Sequence, residues 1–155
     1  MKLHVIRHAK AASSIGESDF DRPLAQKGTL QAQELARYLQ GKIENTTVWC
    51  SDAKRTRESF DLIKMNSSFK DILYKVDFYL CEKEVMLEQI WNNAPEGDLI
   101  IIGHNFGISD LVNYFTDELI LMRTGEYICI DFGELSLKES SKDTGRISDQ
   151  FRFEA

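Results

Sequence analysis

Leu3-His4-Val5-Ile6-Arg7-His8-Ala9-Lys10 near the start of the chain and Leu99-Ile100-Ile101-Ile102-Gly103-His104-Asn105 far along it are built alike. Each is a short aliphatic run that ends in a histidine. Unbroken runs of this kind suit strands buried on both faces, as in parallel sheets, whereas half-exposed strands alternate apolar and polar residues. Thr47-Val48-Trp49-Cys50 and Tyr127-Ile128-Cys129-Ile130-Asp131-Phe132 are two more β-branched or aromatic runs. One sheet is expected from the four.

Helical patterns lie between them. Ala32, Leu35, Ala36 and Leu39 follow i, i+3, i+4, i+7, as do Leu87, Ile90, Trp91, Ala94 and Ile108, Leu111, Val112, Phe115. A further helix runs through Ala53, Thr56, Phe60 and Ile63, Gly41 stops the first helix, and Asn45 marks the turn into the second strand. Strands alternating with helices mean βαβ units, so the fold class is α/β: a three-layer sandwich with a mostly parallel sheet and helices on both faces. Glu134 to Gln150 is polar and reads as a loop or irregular hairpin before a last short strand, Phe151-Arg152-Phe153.

The 155 residues, 43% hydrophobic and 28% charged, fit one domain over residues 1–155 with a core that needs no disulfide or structural metal. The net charge of -6 argues against a nucleic-acid binder, which would show a basic face. Arg7 interrupts the N-terminal apolar run, so no secretory signal is expected, and no run approaches the roughly 18 to 20 apolar residues that span a bilayer. Cys50, Cys81 and Cys129 are odd in number and set in apolar surroundings, which fits reduced core thiols. A soluble protein of the reducing cytoplasm, with no membrane partner, is the expectation.

In parallel sheets ligands sit beyond the carboxyl ends of the strands. Neighbouring first and Leu99–Ile102 strands would bring Arg7, His8 and His104 together, and Ser51-Asp52-Ala53-Lys54-Arg55-Thr56 would add Arg55 from the first turns of a helix. That set suits phosphoryl transfer without metal or cofactor. Guanidinium groups present paired donors to phosphate oxygens, helix N-termini add backbone donors, and an imidazole with a pKa near 6.5 is a competent nucleophile. Attack by one histidine would form a phosphohistidine, which water then hydrolyses.

With Arg7-His8 after the first strand, Ser51-x-x-x-Arg55-Thr56 after the second and Gly103-His104-Asn105 after the Leu99 strand, the chain resembles the histidine phosphatase superfamily, of phosphoglycerate mutase-like fold. Asp19-Phe20-Asp21-Arg22-Pro23-Leu24-Ala25-x-x-Gly28, the Arg123-Thr124-Gly125 turn and the short length are similar to its small SixA-type phosphohistidine phosphatases, which lack a cap insertion. The resemblance implies that His8 is the phosphorylated nucleophile, that Arg7, Arg55 and His104 complete the phosphate pocket, and that Asn105, Arg22 and Ser51 bind substrate. It also implies a phosphohistidine-bearing phosphotransfer domain as the partner. Ala9 stands where the family usually has Gly, and Ala25, in place of Thr, removes an N-cap oxygen worth about 1 kcal/mol.

Asp77 and Glu82 are the carboxylates nearest the family's position for a general acid, and neither matches it. An enzyme without a strong acid favours a labile leaving group, such as the imidazole of phosphohistidine, over an alkoxide. Small phosphoesters are the alternative substrates; a phosphate-binding module without turnover is the alternative of another class. Plainer readings accompany each residue. Arg55 would pair with Glu58, Arg22 with Asp19 or Asp21, Lys10 would face solvent, and Trp49 and Trp91 would be core. His4-x-x-x-His8 would suit a metal only on a helix, and this segment reads as strand.

Overall fold

The computed structural model describes residues 1–154. Six strands form one sheet: β1 (Lys2–Arg7), β2 (Thr46–Ser51), β3 (Phe69–Lys75), β4 (Leu99–Gly103), β5 (Tyr127–Asp131) and β6 (Arg146–Phe151), in the order β3-β2-β4-β1-β5-β6. The first four run parallel, and β5 is antiparallel to both β1 and β6. The helices are α1 (Gln26–Leu39), α2 (Lys54–Ile63), α3 (Lys83–Asn93) and α4 (Gly107–Thr116). Arg7 lies opposite Gly103 in the β1–β4 ladder, so the two histidines that follow emerge side by side.

Side chains of the central strands alternate between two cores, as the pleat requires. Leu3, Val5, Leu99 and Ile101 pack with Leu87, Ile90, Leu111 and Phe115 of α3 and α4. Ile6, Ile100, Ile102 and Val48 pack on the other face with Leu35, Leu39, Phe60 and Ile63 of α1 and α2. Leu99 to Ile102 are buried on both faces, and each contributes about 1.5 to 3 kcal/mol relative to exposure. Gly41 follows the end of α1 with φ +78°, the left-handed backbone that a helix stop needs.

Three sequence expectations are corrected. β3 joins the sheet at an edge with Lys70 and Asp71 exposed, so it has no apolar run to announce it. The last strand is Arg146–Phe151, which alternates exposed and half-buried positions, rather than Phe151–Phe153; one half-buried position is Asp149, which accepts the Tyr38 hydroxyl. Trp91 is 39% exposed and donates its Nε1 proton to the Ser140 carbonyl at 2.8 Å, because its place on α3 meets the 3-10 turn Leu137–Glu139 rather than the core. Cys50 and Cys129 are buried free thiols, whereas Cys81 is half-buried. No helix among the described residues is long and apolar enough to cross a membrane.

Candidate active site

The loop after β1 is fixed from four sides. His8 donates its amide to the Gly103 carbonyl at 3.1 Å, and the Gly125 amide donates to the His8 carbonyl at 3.0 Å. The Ala9 amide donates to Ser59 Oγ on α2 at 2.9 Å, and the Lys10 amide donates to Gln31 Oε1 on α1 at 2.8 Å. The His8 ring is held as firmly. Its Nδ1 is 2.7 Å from the Ala9 carbonyl, which can only accept, so Nδ1 carries the proton and Nε2 keeps the lone pair.

Arg55 Nε is 3.4 Å from that lone pair. Burial first, then the guanidinium groups of Arg55, Arg7 and Arg22, push the His8 pKa down to about 4 against the Ala9 hydrogen bond. The ring is therefore neutral at pH 7.

His104 stands across from His8 with ring centroids 5.1 Å apart. Its pKa falls to about 3, through burial and then through His8 and Arg55. Ser51 Oγ is 2.7 Å from His104 Nε2 and accepts the Ala53 amide at 3.4 Å, so its hydroxyl is available to donate to Nε2. A neutral imidazole that accepts at Nε2 keeps its proton on Nδ1. That Nδ1 and Arg7 Nε are both buried without a protein partner. A buried unpaired donor costs about 1 to 3 kcal/mol, which an oxyanion in the site would relieve.

Arg7, His8, Arg22, Arg55 and His104 line one cavity of about 220 Å³, together with Lys10, Asn105 and Thr124. Arg7 is braced by an Nη1 hydrogen bond to the Met122 carbonyl at 2.9 Å. Arg22 both lines the cavity and pairs with Asp19, donating Nε to the Ala12 carbonyl and Nη1 to Asp19 Oδ1. Arg55 does not pair with Glu58, which instead accepts the Leu24 amide; its Nη1 and Nη2 bind the Asp19 carbonyl and carboxylate.

Two candidates are placed differently from expectation. Ser51 is fully buried and lies outside the cavity lining, because its hydroxyl is turned to His104. Asn105 lines the cavity, yet its amide is committed to the Met122 carbonyl and the Ser109 hydroxyl. Asp77 accepts from Gln89 and Glu82 precedes α3; neither lines the cavity. His4 is on β1, its Nδ1 2.8 Å from the Tyr127 hydroxyl.

The sequence reading missed Tyr79, whose hydroxyl donates to Asp19 and whose ring edge meets His104 at 5.5 Å. No sequence motif marks it. Asp19 had one signal, its place three residues before Arg22 in a turn.

Ser51→Ala removes the hydrogen bond that selects the His104 tautomer. One such bond is worth about 0.5 to 1.5 kcal/mol, so kcat on an aryl phosphate should fall about 2- to 10-fold with the melting temperature little changed. An unchanged kcat would show that the tautomer is set elsewhere.

Among solved structures, a candidate phosphohistidine phosphatase SixA from Agrobacterium tumefaciens is 22% identical, with TM-score 0.81, over 97% of this chain and 97% of that one. A protein histidine phosphatase SixA complexed with tungstate is 18% identical, with TM-score 0.79, over 97% and 96%. A candidate alpha-ribazole-5'-P phosphatase from Escherichia coli is 14% identical, with TM-score 0.66, over 86% and 91%. These likenesses show the phosphoglycerate mutase-like fold. No curated protein matches the chain. Residues 3–82, which carry Arg7, His8, Arg22 and Arg55, match the family model of the histidine phosphatase superfamily (branch 1), and the chain belongs to that superfamily.

Proposed function

We propose that this histidine phosphatase acts on phosphohistidine in proteins through a phosphorylated His8. The observation that carries the reading is the cavity itself: its lining supplies cations and two neutral imidazoles and, among the described residues, no carboxylate. His8 Nε2 attacks phosphorus, and the electron pair of the breaking bond leaves with the substrate's group. An imidazole that is protonated on its other ring nitrogen departs neutral. A serine or sugar alkoxide needs a proton, and a positioned acid supplies about 10²- to 10⁴-fold to such a step.

The same logic serves the second half-reaction. His8 Nδ1 already bears its proton against the Ala9 carbonyl, so phospho-His8 is an imidazolium and leaves neutral when water attacks. Arg7, Arg55 and His104 hold the equatorial oxygens during both steps. The mouth of the cavity supports a protein substrate. Leu80 at its lining is 53% exposed, and Phe106, next in the chain to the lining residue Asn105, is 71% exposed. An exposed apolar side chain at the lining of a polar pocket suits a protein surface better than a small polar metabolite.

The test is phosphate release from a phosphohistidine-carrying phosphotransfer domain and from a matched phosphoserine peptide. The phosphohistidine substrate should lead by at least about 100-fold in kcat/KM, the contribution of an absent acid. Equal or faster phosphoserine cleavage would refute the reading. Rapid cleavage of a small phosphoester, with every phosphoprotein inert, would assign the site to metabolites such as those named for the ribazole phosphatase fold relative.

A further inference from the structure

Arg55 is almost fully buried, and its guanidinium presents two edges. Nε faces His8 Nε2. The opposite edge is occupied by one residue: Nη1 donates to the Asp19 carbonyl at 2.7 Å and Nη2 to Asp19 Oδ2 at 3.1 Å. The same carboxylate accepts Arg22 Nη1 on Oδ1 at 2.8 Å and the Tyr79 hydroxyl on Oδ2. Asp19 thus touches two of the cavity's arginines without lining the cavity itself. Tyr79 is anchored in turn, edge-on to Phe20 at 4.9 Å and to His104 at 5.5 Å.

We infer that Asp19 is a positioning residue, which with Tyr79 as its lock aims the Nε edge of Arg55 and the side chain of Arg22 at the phosphoryl group on His8. An arginine has several rotatable bonds, and the geometry of phosphoryl transfer is sensitive to displacements of about 1 Å. Gripping the far edge of the guanidinium fixes its plane while leaving the near edge to substrate. The hydrogen bonds from Tyr79 and then Arg22 hold the Asp19 carboxyl far below the usual carboxylate range, so the grip keeps its charge and Asp19 cannot serve as the proton donor. Its carboxylate is 44% exposed while Arg55 is buried, and the Asp19 main-chain carbonyl still accepts Arg55 Nη1 when the carboxylate is removed, which limits the loss of stability. The value of the contact therefore lies in orientation. The opposite possibility, a carboxylate that masks Arg55 from phosphate, predicts opposite results.

The inference rests on His8 being the phosphorylated residue, and its test also has arms that do not need turnover. Asp19→Ala and Tyr79→Phe are compared with the unaltered protein by hydrolysis of 4-nitrophenyl phosphate, by inorganic phosphate affinity, by melting temperature, and by NMR titration of the His8 ring. The titratable and charged groups around that ring are Arg7 on β1, Lys10 and Arg22 in the loops, Arg55 on α2, the neutral His104 after β4, and Asp19 behind Arg55. Asp19→Ala should lower kcat about 10- to 100-fold, weaken phosphate binding, and leave the melting temperature almost unchanged. Tyr79→Phe should lower kcat by about 2- to 10-fold, the worth of one hydrogen bond.

The titration separates orientation from plain charge removal. If Asp19 merely screened Arg55, its loss would strengthen the positive field on His8 and move the midpoint below about 4. If Asp19 holds Arg55 in place, its loss frees the guanidinium and the midpoint rises. A rise with weaker phosphate binding supports the inference even if no substrate turns over, which would count against the hydrolytic reading alone. A lower or unmoved midpoint, tighter phosphate binding, or faster hydrolysis in Asp19→Ala would overturn it. Should Asp19→Ala fail to fold, Tyr79→Phe with full kcat and unaltered phosphate affinity would overturn it as well.

Discussion

His8→Ala protein should release phosphate at least about 10⁴-fold more slowly than the unaltered chain, on phosphoprotein and aryl phosphate alike. Removing the nucleophile of a covalent mechanism leaves only binding and electrostatic stabilisation of uncatalysed attack by water, and comparable losses reach about 10⁶. Phosphate should still bind, because Arg7, Arg55 and His104 each have anchors independent of the His8 ring: Met122, Asp19 and Ser51. Acid quenching of the unaltered protein during turnover should be avoided, and neutral trapping should capture one phosphoryl group per chain on His8 and none on the variant. Turnover within tenfold of the unaltered rate would remove His8 from the chemistry and leave His104 as the residue to examine.

The strands that carry this site were legible because the central ones are buried on both faces; their order in the sheet was not. Leu3 to Ile6 and Leu99 to Ile102 have no polar position to blur them except His4, and that histidine is satisfied by Tyr127. Strand neighbourhood does not follow from the βαβ pattern, because β4 is inserted between β1 and β2; the approach of His8 to His104 was expected from the matching strand ends, and the β1–β4 ladder provides it. The edges of the sheet carried no such signal: β3 and β6 place Lys70, Asp71 and Asp149 where a buried strand would place aliphatics. The chemistry was legible for the same reason as the centre, since charged residues directly after apolar strands have few structural explanations. What escaped was the support around it. Tyr79 reaches Asp19 from a segment sixty residues away, and Ser51 turns to His104 rather than to substrate; both depend on side-chain directions that neither period nor motif encodes.

Gly28→Ala should damage both stability and activity, although helix propensity alone predicts a gain of about 1 kcal/mol for replacing a helical glycine. Gly28 sits in the first turn of α1 with ordinary helical backbone, so its requirement is space. A Cβ there would lie 2.0 Å from the Lys10 carbonyl oxygen, 2.9 Å from its carbon and 3.0 Å from its nitrogen. These are main-chain atoms that cannot rotate away. The Lys10 carbonyl accepts the Ala25 amide at 2.9 Å and the Lys10 amide is held by Gln31, so relief requires the 9–12 loop and α1 to separate. Overpacking of this kind costs about 1 to 3 kcal/mol and occasionally more. At about 2 to 4 °C per kcal/mol for a chain of this size, the melting temperature should drop by several degrees. The separation also shifts the loop that carries Ala9, the acceptor for His8 Nδ1, so kcat should fall about 10- to 100-fold in protein that is still folded. The stability and activity losses share one cause, and a variant that melts at or above the unaltered temperature with full activity would show that loop and helix are not in the close contact on which the site's geometry depends.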